Sequence, residues 1–394
     1  MGGVILNPSA VIPLSRPDIT ELEKEYVHEA LGSDYLSGGP MSKEFEAQLA
    51  SIAGTKYAVG VSSGTAALHL ILLALDIKPG DEVITTPYSF IASANCILYV
   101  GATPVFCDIS PDDFNIDPDL IESKISPRTR AILIVHVFGF PAPMDKICAI
   151  AEKHNLPVIE DSCEAIGARI NGQPVGGRGI AGAFAFYPNK QITTGEGGVV
   201  VTNDKTIAMM TRCLANQGRE TGDHWLYHKH LGYNYRLDEL SAALGVAQLK
   251  RLQEILASRA RVAQWYENEL QNEVLLTTPA SRIMKNSVIS WFVYVVRFCD
   301  PSIREIVIRA LAEAGIETRP YFPAIHLQPL YQEKLGYGSG SFPVTESVAS
   351  TTLALPFYTK ISKDQVHEVC KQLNTILRLP EVSSRIDNQQ ENFN

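Results

Sequence analysis

Between about Tyr57 and Val201 the chain alternates short apolar runs with longer stretches in which apolar residues recur at helical spacing. The short runs predict strands at Tyr57–Val61, Asp81–Thr85, Thr103–Ile109, Arg130–Val137 and Leu156–Glu160. The longer stretches predict helices at Thr65–Leu75, Phe90–Val100, Asp117–Ile125 and Asp145–His154. Strands that alternate with helices through short connections imply crossover units and a mainly parallel sheet, an α/β fold. The predicted strands are rich in Val and Ile on both faces. That pattern suits a sheet covered by helices on both sides.

From Leu237 to about Leu270 the pattern predicts one long helix, straight or bent, with Asp238 and Glu239 in its first turn. Acidic groups there suit the helix dipole. The helix has the reach to connect two domains. A smaller unit follows: a strand at Phe292–Phe298, a helix at Ile303–Ala314, a loop rich in Pro and aromatics at Arg319–Leu330, and a helix at Lys363–Leu377. The expected division is a large domain over 1–250, with a helical segment at its start, and a small C-terminal domain over 251–380. The polar residues 381–394 are expected to form a flexible tail.

The 394 residues are 45% hydrophobic and 20% charged, ordinary values for a water-soluble globular protein. No apolar run approaches the roughly 18 residues of a membrane span. The N-terminal residues lack the basic start and long apolar stretch of a signal peptide, so a cytoplasmic location is expected. The net charge is −9 and basic residues are not clustered, which argues against nucleic acid as a partner. An anionic small molecule is not excluded, because local fields outweigh net charge. The cysteines, Cys96, Cys107, Cys148, Cys163, Cys213, Cys299 and Cys370, are scattered and odd in number. Neither a disulfide framework nor a metal cluster is expected from that spacing.

Several residues stand where chemistry is expected. Lys190 lies in Phe184-Ala-Phe-Tyr-Pro-Asn-Lys-Gln-Ile-Thr-Thr-Gly-Glu-Gly-Gly198, between two strand-like runs and beside small, flexible residues. A lysine at such a turn has room for a bulky group on its amine, as covalent carbonyl chemistry requires. Val61-Ser-Ser-Gly-Thr65 follows a strand and opens a helix, so Gly64 and Thr65 offer backbone N–H groups to a phosphate. The same turn also reads as a plain strand-to-helix connection. Leu156-Pro-Val-Ile-Glu-Asp161 ends a strand in two acids. Ligands in open parallel sheets bind beyond such ends, and Asp161 is placed to keep a pyridinium nitrogen protonated. Phe90, after another strand, is a candidate ring to lie on a planar cofactor. Asn234 and Arg236, in Gly232-Tyr-Asn-Tyr-Arg-Leu237, flank the start of the long helix, and Arg suits anions. Gly177-Arg-Gly-Ile-Ala-Gly182 matches G-x-G-x-x-G but precedes a strand-like run. A dinucleotide fingerprint must follow a strand and open a helix, so nicotinamide or flavin binding is not expected here.

Taken in order, these motifs resemble the sugar aminotransferases of the DegT/DnrJ/EryC1/StrS type, from Ile12 to about Leu377. Those are pyridoxal 5'-phosphate (PLP) enzymes of aminotransferase fold type I. The resemblance implies a mainly parallel central sheet covered by helices and a smaller α+β C-terminal domain. It implies that Lys190 carries the cofactor and moves the proton, that Asp161 partners the pyridine nitrogen, and that Phe90 stacks on the ring. Ser63, Gly64 and Thr65 resemble part of the phosphate site, and Glu164 occupies a position near the ring hydroxyl. Asn234 resembles a residue that reaches the phosphate of a neighbouring subunit, with help from Arg236. Arg319 and His326, in Arg319-Pro-Tyr-Phe-Pro-Ala-Ile-His326, resemble substrate-side residues. The chain departs from the family at Ala185, where many members carry a serine that helps hold the phosphate.

The implied reaction moves an amino group, from glutamate by resemblance, to a nucleotide-linked keto-deoxysugar. The implied assembly is a homodimer or a dimer of dimers. Alternatives within the same chemistry are a cyclitol or other ketone acceptor, or a sugar dehydratase. Dehydratase relatives replace the lysine with histidine, and Lys190 is retained here. The loops His224–His230 and Ser281–Ser290 are candidates for setting the sugar.

Overall fold

A computed structural model describes residues 11–220, 222, 227–380 and 382. The expected tail over 381–394, apart from Val382, and part of the His224–His230 loop lie outside the described residues. The first nine strands are β1 (Tyr57–Val61), β2 (Glu82–Thr85), β3 (Thr103–Phe106), β4 (Thr129–Val135), β5 (Val158–Asp161), β6 (Arg169–Ile170), β7 (Gln173–Pro174), β8 (Ala181–Ala185) and β9 (Gly198–Thr202). Seven of them form one sheet in the order β1-β9-β8-β5-β4-β2-β3.

The run β8-β5-β4-β2-β3 is parallel throughout, as the strand–helix alternation requires. β9 is antiparallel to both neighbours, β1 and β8. The segment from Phe186 to Gly197 contains no helix and so returns the chain as a hairpin rather than a crossover. Lys190 therefore sits on a strand-to-strand connection beside the sheet's carboxyl ends. The sheet is buried on both faces: β2, β5 and β9 are buried at every position.

Two helix predictions need correction. The Leu237–Leu270 stretch is two helices, Glu239–Lys250 and Leu252–Leu270, separated at Arg251 with φ −100° and ψ 2°. The Asp117–Ile125 stretch is one short turn, Pro118–Ile121, followed by a 3₁₀ turn, Glu122–Lys124. Asp117 caps that short helix by accepting the Asp119 N–H.

A second sheet joins β10 (Leu276–Thr277), β12 (Tyr294–Phe298) and β13 (Thr352–Leu355), all antiparallel. It has a core of its own with helices Leu252–Leu270, Pro301–Glu313 and Lys363–Leu377. Val366, Val369, Cys370, Leu373, Ile376 and Leu377 form the buried stripe of the last helix, at helical spacing. The short β11 (Ser287–Val288) pairs with β6, so the Ser281–Ser290 loop is pinned against the region that follows β5. No helix among the described residues is long and apolar enough to cross a membrane.

Candidate active site

The carboxyl ends of β4, β5 and β8 open on a cavity of about 560 Å³, whose wall includes Lys190, Asp161, Glu164, Ala185 and the Ser63–Gly64–Thr65 turn. This is where open α/β sheets bind ligands, and the volume falls within the roughly 300–1,000 Å³ of small-molecule sites.

Ser63 starts the helix Gly64–Ala74 and accepts the Ala66 N–H on its hydroxyl oxygen. A side chain at Gly64 would place its Cβ 2.6 Å from Ala185 Cβ and 2.7 Å from Cys163 Sγ. Glycine thus lets the positive end of the helix settle onto the ends of β5 and β8, within the cavity wall. Free first-turn amides and the helix dipole make that end a place for an anion.

Asp161 is the last residue of β5 and is 5% exposed. Its Oδ2 accepts the Ser93 hydroxyl at 2.7 Å, and its Oδ1 accepts the Cys163 N–H at 3.1 Å. Ser93 in turn meets the Ser89 hydroxyl at 2.8 Å. Both carboxylate oxygens are therefore held, which fixes the direction in which the acid faces the cavity.

Glu164 is buried, with Oε2 accepting the Phe138 N–H at 2.8 Å and Oε1 lying 3.5 Å from Lys190 Nζ. Burial raises its pKa, against the opposing pull of Lys190 and of the Phe138 N–H. Phe138 delivers that N–H from the left-handed region, at φ 58°, where a side chain other than glycine is uncommon. The turn continues through Gly139, at φ 87°, where any Cβ would lie 1.7 Å from the Ser290 carbonyl oxygen. The Phe138 ring stacks on Phe322, with centroids 5.2 Å apart.

Lys190 keeps 13% of its side chain exposed, and its Nζ stands 4.1 Å from the centre of the Phe292 ring. Phe90, at 59% exposure, also lines the cavity, together with Tyr187 and the Pro320–Pro323 loop.

The other expected residues lie elsewhere. Asn234 and Arg236 are exposed and outside the cavity wall of their own chain; Arg236 donates to Asn216 and Gln217. Their segment pairs with the end of β1 through Val61 and Arg236. Arg319 is exposed and donates to the Thr318 carbonyl, while its neighbours Pro320 and Tyr321 reach the wall. His326 is fully buried away from the cavity, where its Nε2 meets Glu346 at 3.0 Å; burial lowers its pKa, against the pull of Glu346.

The glycine-rich run is explained by a carboxylate of the chain itself. The backbone N–H groups of Gly176, Arg178 and Gly179 donate to the fully buried Glu160, at 2.6–2.7 Å. His136 completes the set: its Nδ1 accepts the Ala142 N–H, so its Nε2 carries the proton that faces Glu160 at 3.0 Å. The loop is an anion nest filled from within.

Sequence reasoning did not find Ser93, Tyr187, Asn189, Phe292 or Tyr321. Ser93 left a faint signal, a small polar residue in an apolar helix four positions after Ser89. Phe292 left none, since it reaches the cavity from a distant segment, while Tyr321 stood within the Arg319–His326 motif without being singled out. Among the described residues no group of His, Cys, Asp or Glu is arranged to hold a metal ion.

One wall thus supplies an amine, a doubly held carboxylate, a helix N-terminus and an aromatic ring at the lip. This set fits the aldehyde, ring nitrogen, phosphate and planar ring of PLP. The DegT/DnrJ/EryC1/StrS aminotransferase family matches residues 17–374. The GDP-perosamine synthase of Escherichia coli O157:H7 is 39% identical over 365 residues, covering 92% of this chain and 98% of that protein. The crystal structure of S. venezuelae DesV superposes with a TM-score of 0.85 at 35% identity, over 91% of this chain and 95% of that one. The PLP form of Spr1654 from Streptococcus pneumoniae gives a TM-score of 0.88 at 29% identity, over 93% of this chain and 98% of that one. The chain belongs to the DegT/DnrJ/EryC1/StrS aminotransferase family and is a PLP-dependent aminotransferase.

Proposed function

We propose that this aminotransferase moves an amino group from L-glutamate to a nucleotide-linked keto-deoxysugar. The observation that carries the reading is the presence of Lys190, Asp161 and the Ser63–Thr65 turn in one cavity wall. The nucleotide-sugar half is supported by the 39% identity to a GDP-perosamine synthase along nearly the whole chain.

When bound, PLP supplies an aldehyde for amine capture and a protonated ring that draws electrons from the reacting carbon. Lys190 is the amine that holds it and, once released, the base that removes the donor's α-proton and returns a proton on the acceptor side. Asp161 keeps the ring nitrogen protonated, steadied by Ser93 and the Cys163 N–H. The amides at Gly64 and Thr65, with Ser63, hold the phosphate. Phe90 covers one ring face at the cavity lip. Asn234, exposed on its own chain, serves the phosphate of a second copy, with Arg236 beside it. Arg319, just before the wall residues Pro320 and Tyr321, is the candidate to meet the sugar nucleotide outside the cavity. His326 contributes through the packing of its loop, since its ring is occupied by Glu346.

The purified protein is expected to absorb near the violet edge of the visible range and to convert glutamate to 2-oxoglutarate in a single half-turnover. Lys190→Ala is expected to abolish both. A panel of nucleotide-linked ketosugars, free ketoses and cyclitol ketones, with product masses measured, identifies the acceptor. Turnover of only the non-nucleotide ketones refutes the nucleotide-sugar assignment, and a Lys190→Ala protein with wild-type turnover refutes the mechanism.

A further inference from the structure

Lys190 stands on a loop whose backbone bonds close it locally. The Lys190 N–H donates to the Tyr187 carbonyl at 2.9 Å, and the Thr194 N–H to that of Phe186 at 3.0 Å. The side chain next to the lysine ties this loop to other parts of the fold. Gln191 is buried, and its Nε2 donates to the Glu164 carbonyl at 2.6 Å, to the Ser290 carbonyl at 3.0 Å and to Ser290 Oγ at 2.8 Å. The two protons of one amide are thus shared among acceptors on two segments, one leaving β5 and one entering β12. Ser290 is fully engaged at this junction. Its N–H donates to the Gly139 carbonyl at 3.1 Å and its hydroxyl to the Ile166 carbonyl at 2.6 Å. Just beyond it, the buried Arg259 of helix Leu252–Leu270 donates to the Trp291 and Phe292 carbonyls, both at 2.7 Å. Phe292 is therefore held from two sides, and its ring lies 4.1 Å from Lys190 Nζ. One junction fixes both the loop that carries the amine and the ring that meets it.

We propose that Gln191 is a positioning residue for the reaction: by fastening the lysine loop to Ser290, it fixes where the Lys190 amine stands against the Phe292 ring. The inference rests on the reading of Lys190 as the residue that captures PLP. In that capture the amine adds to the aldehyde carbon, a C=N bond forms and one water leaves. The rate of such a step depends on the reach and angle of the amine. Docking of the phosphate at the Ser63–Thr65 turn and of the ring nitrogen at Asp161 makes no use of Gln191. Loss of the amide donor therefore slows capture and spares docking, whereas a general loosening of the site harms both.

The full chain, freed of cofactor, is mixed with PLP at rising concentration, and the absorbance change on capture is followed by stopped flow. The half-saturating concentration reads docking, and the limiting rate reads capture. Gln191→Met keeps the length of the side chain and removes its donor. It is expected to lower the limiting rate about tenfold while half-saturation moves by about twofold or less, since misplacing a reacting group costs rate before affinity. Phe292→Leu is expected to slow capture similarly, and the double variant to be no slower than the slower single one, as for two residues that act through one contact. An unchanged limiting rate in Gln191→Met overturns the proposal. So does a double variant whose losses multiply, or a loss of rate matched by an equal loss of docking. Ser290→Ala removes one acceptor of the Gln191 amide; it is expected to slow capture about threefold and carries the test if Gln191→Met does not fold. Lys190→Ala separates the two readings: a capture band in that chain overturns the assignment of Lys190, and the proposal with it, whatever the Gln191 variants do.

Discussion

At the scale of single residues, the site depends on how its acids are held. Ser93 donates one of the two hydrogen bonds that fix Asp161. A hydrogen bond to a charged group contributes about 1.5–3 kcal/mol. Ser93→Ala is therefore expected to weaken PLP binding by about tenfold or more in absorbance titration, and to lower the urea midpoint as well, because it leaves a buried oxygen of Asp161 without its donor. Asp161 and Lys190 were legible in the sequence because a strand end and a small-residue turn are local signals. Phe292 was not, because its approach to Lys190 is made by the tertiary fold, and a phenylalanine before a strand reads as ordinary core. Glu164 came only from the family resemblance, and its bond to the left-handed Phe138 is one that the letters Val137-Phe-Gly139 do not announce.

At the scale of elements, the parallel strands followed from their apolar pattern, and their observed limits shift by only a few residues. The reversal of β9 did not follow, since an apolar strand looks the same in either direction. The break at Arg251 was hidden for a similar reason: Lys250-Arg-Leu-Gln253 is built of good helix formers. What accompanies the break is tertiary, the grip of Asp18 and Glu23 on the Arg251 guanidinium. Close approach matters equally at the helix Gly64–Ala74, which rests on Ala185 and Cys163. Gly64→Ala is expected to destabilise the protein by about 1–3 kcal/mol through overpacking. Adding Ala185→Gly is expected to restore part of that loss in urea unfolding, by removing the nearest obstructing atom.

At the scale of the whole molecule, the exposure of Asn234 bears on assembly. A mixture of Lys190→Ala and Asn234→Ala chains is expected to regain activity by pairing into hybrids with one intact site, while neither parent is active alone. Recovery no greater than the sum of the parents in that assay refutes a shared site. Stability is tied to pH through Glu23. Burial pushes its pKa up, but hydrogen bonds from Thr20, Arg251 and Gln248 outweigh that and hold it down at about 2, against an ordinary 4.5. The folded state thus prefers the ionised form. The resulting stability is present above about pH 4.5 and is lost as pH falls toward 2. Urea midpoints are expected to drop across that window in wild type and to drop less in Glu23→Gln.

The same cluster ties together distant parts of the chain. Asp18 reaches Arg251 at 3.3 Å and Lys360 at 2.7 Å, and Arg251 reaches Glu23 at 2.8 Å. One arginine at a helix break and one lysine near the last helix clasp a segment close to the start of the chain. Such a clasp adds a polar tie to the apolar one by which Val293 and Val295 already share a core with the large sheet, so that the two parts are coupled on melting. Wild type is expected to melt in a single calorimetric transition, and Arg251→Ala to lower and broaden it by leaving the buried Glu23 without one of its donors.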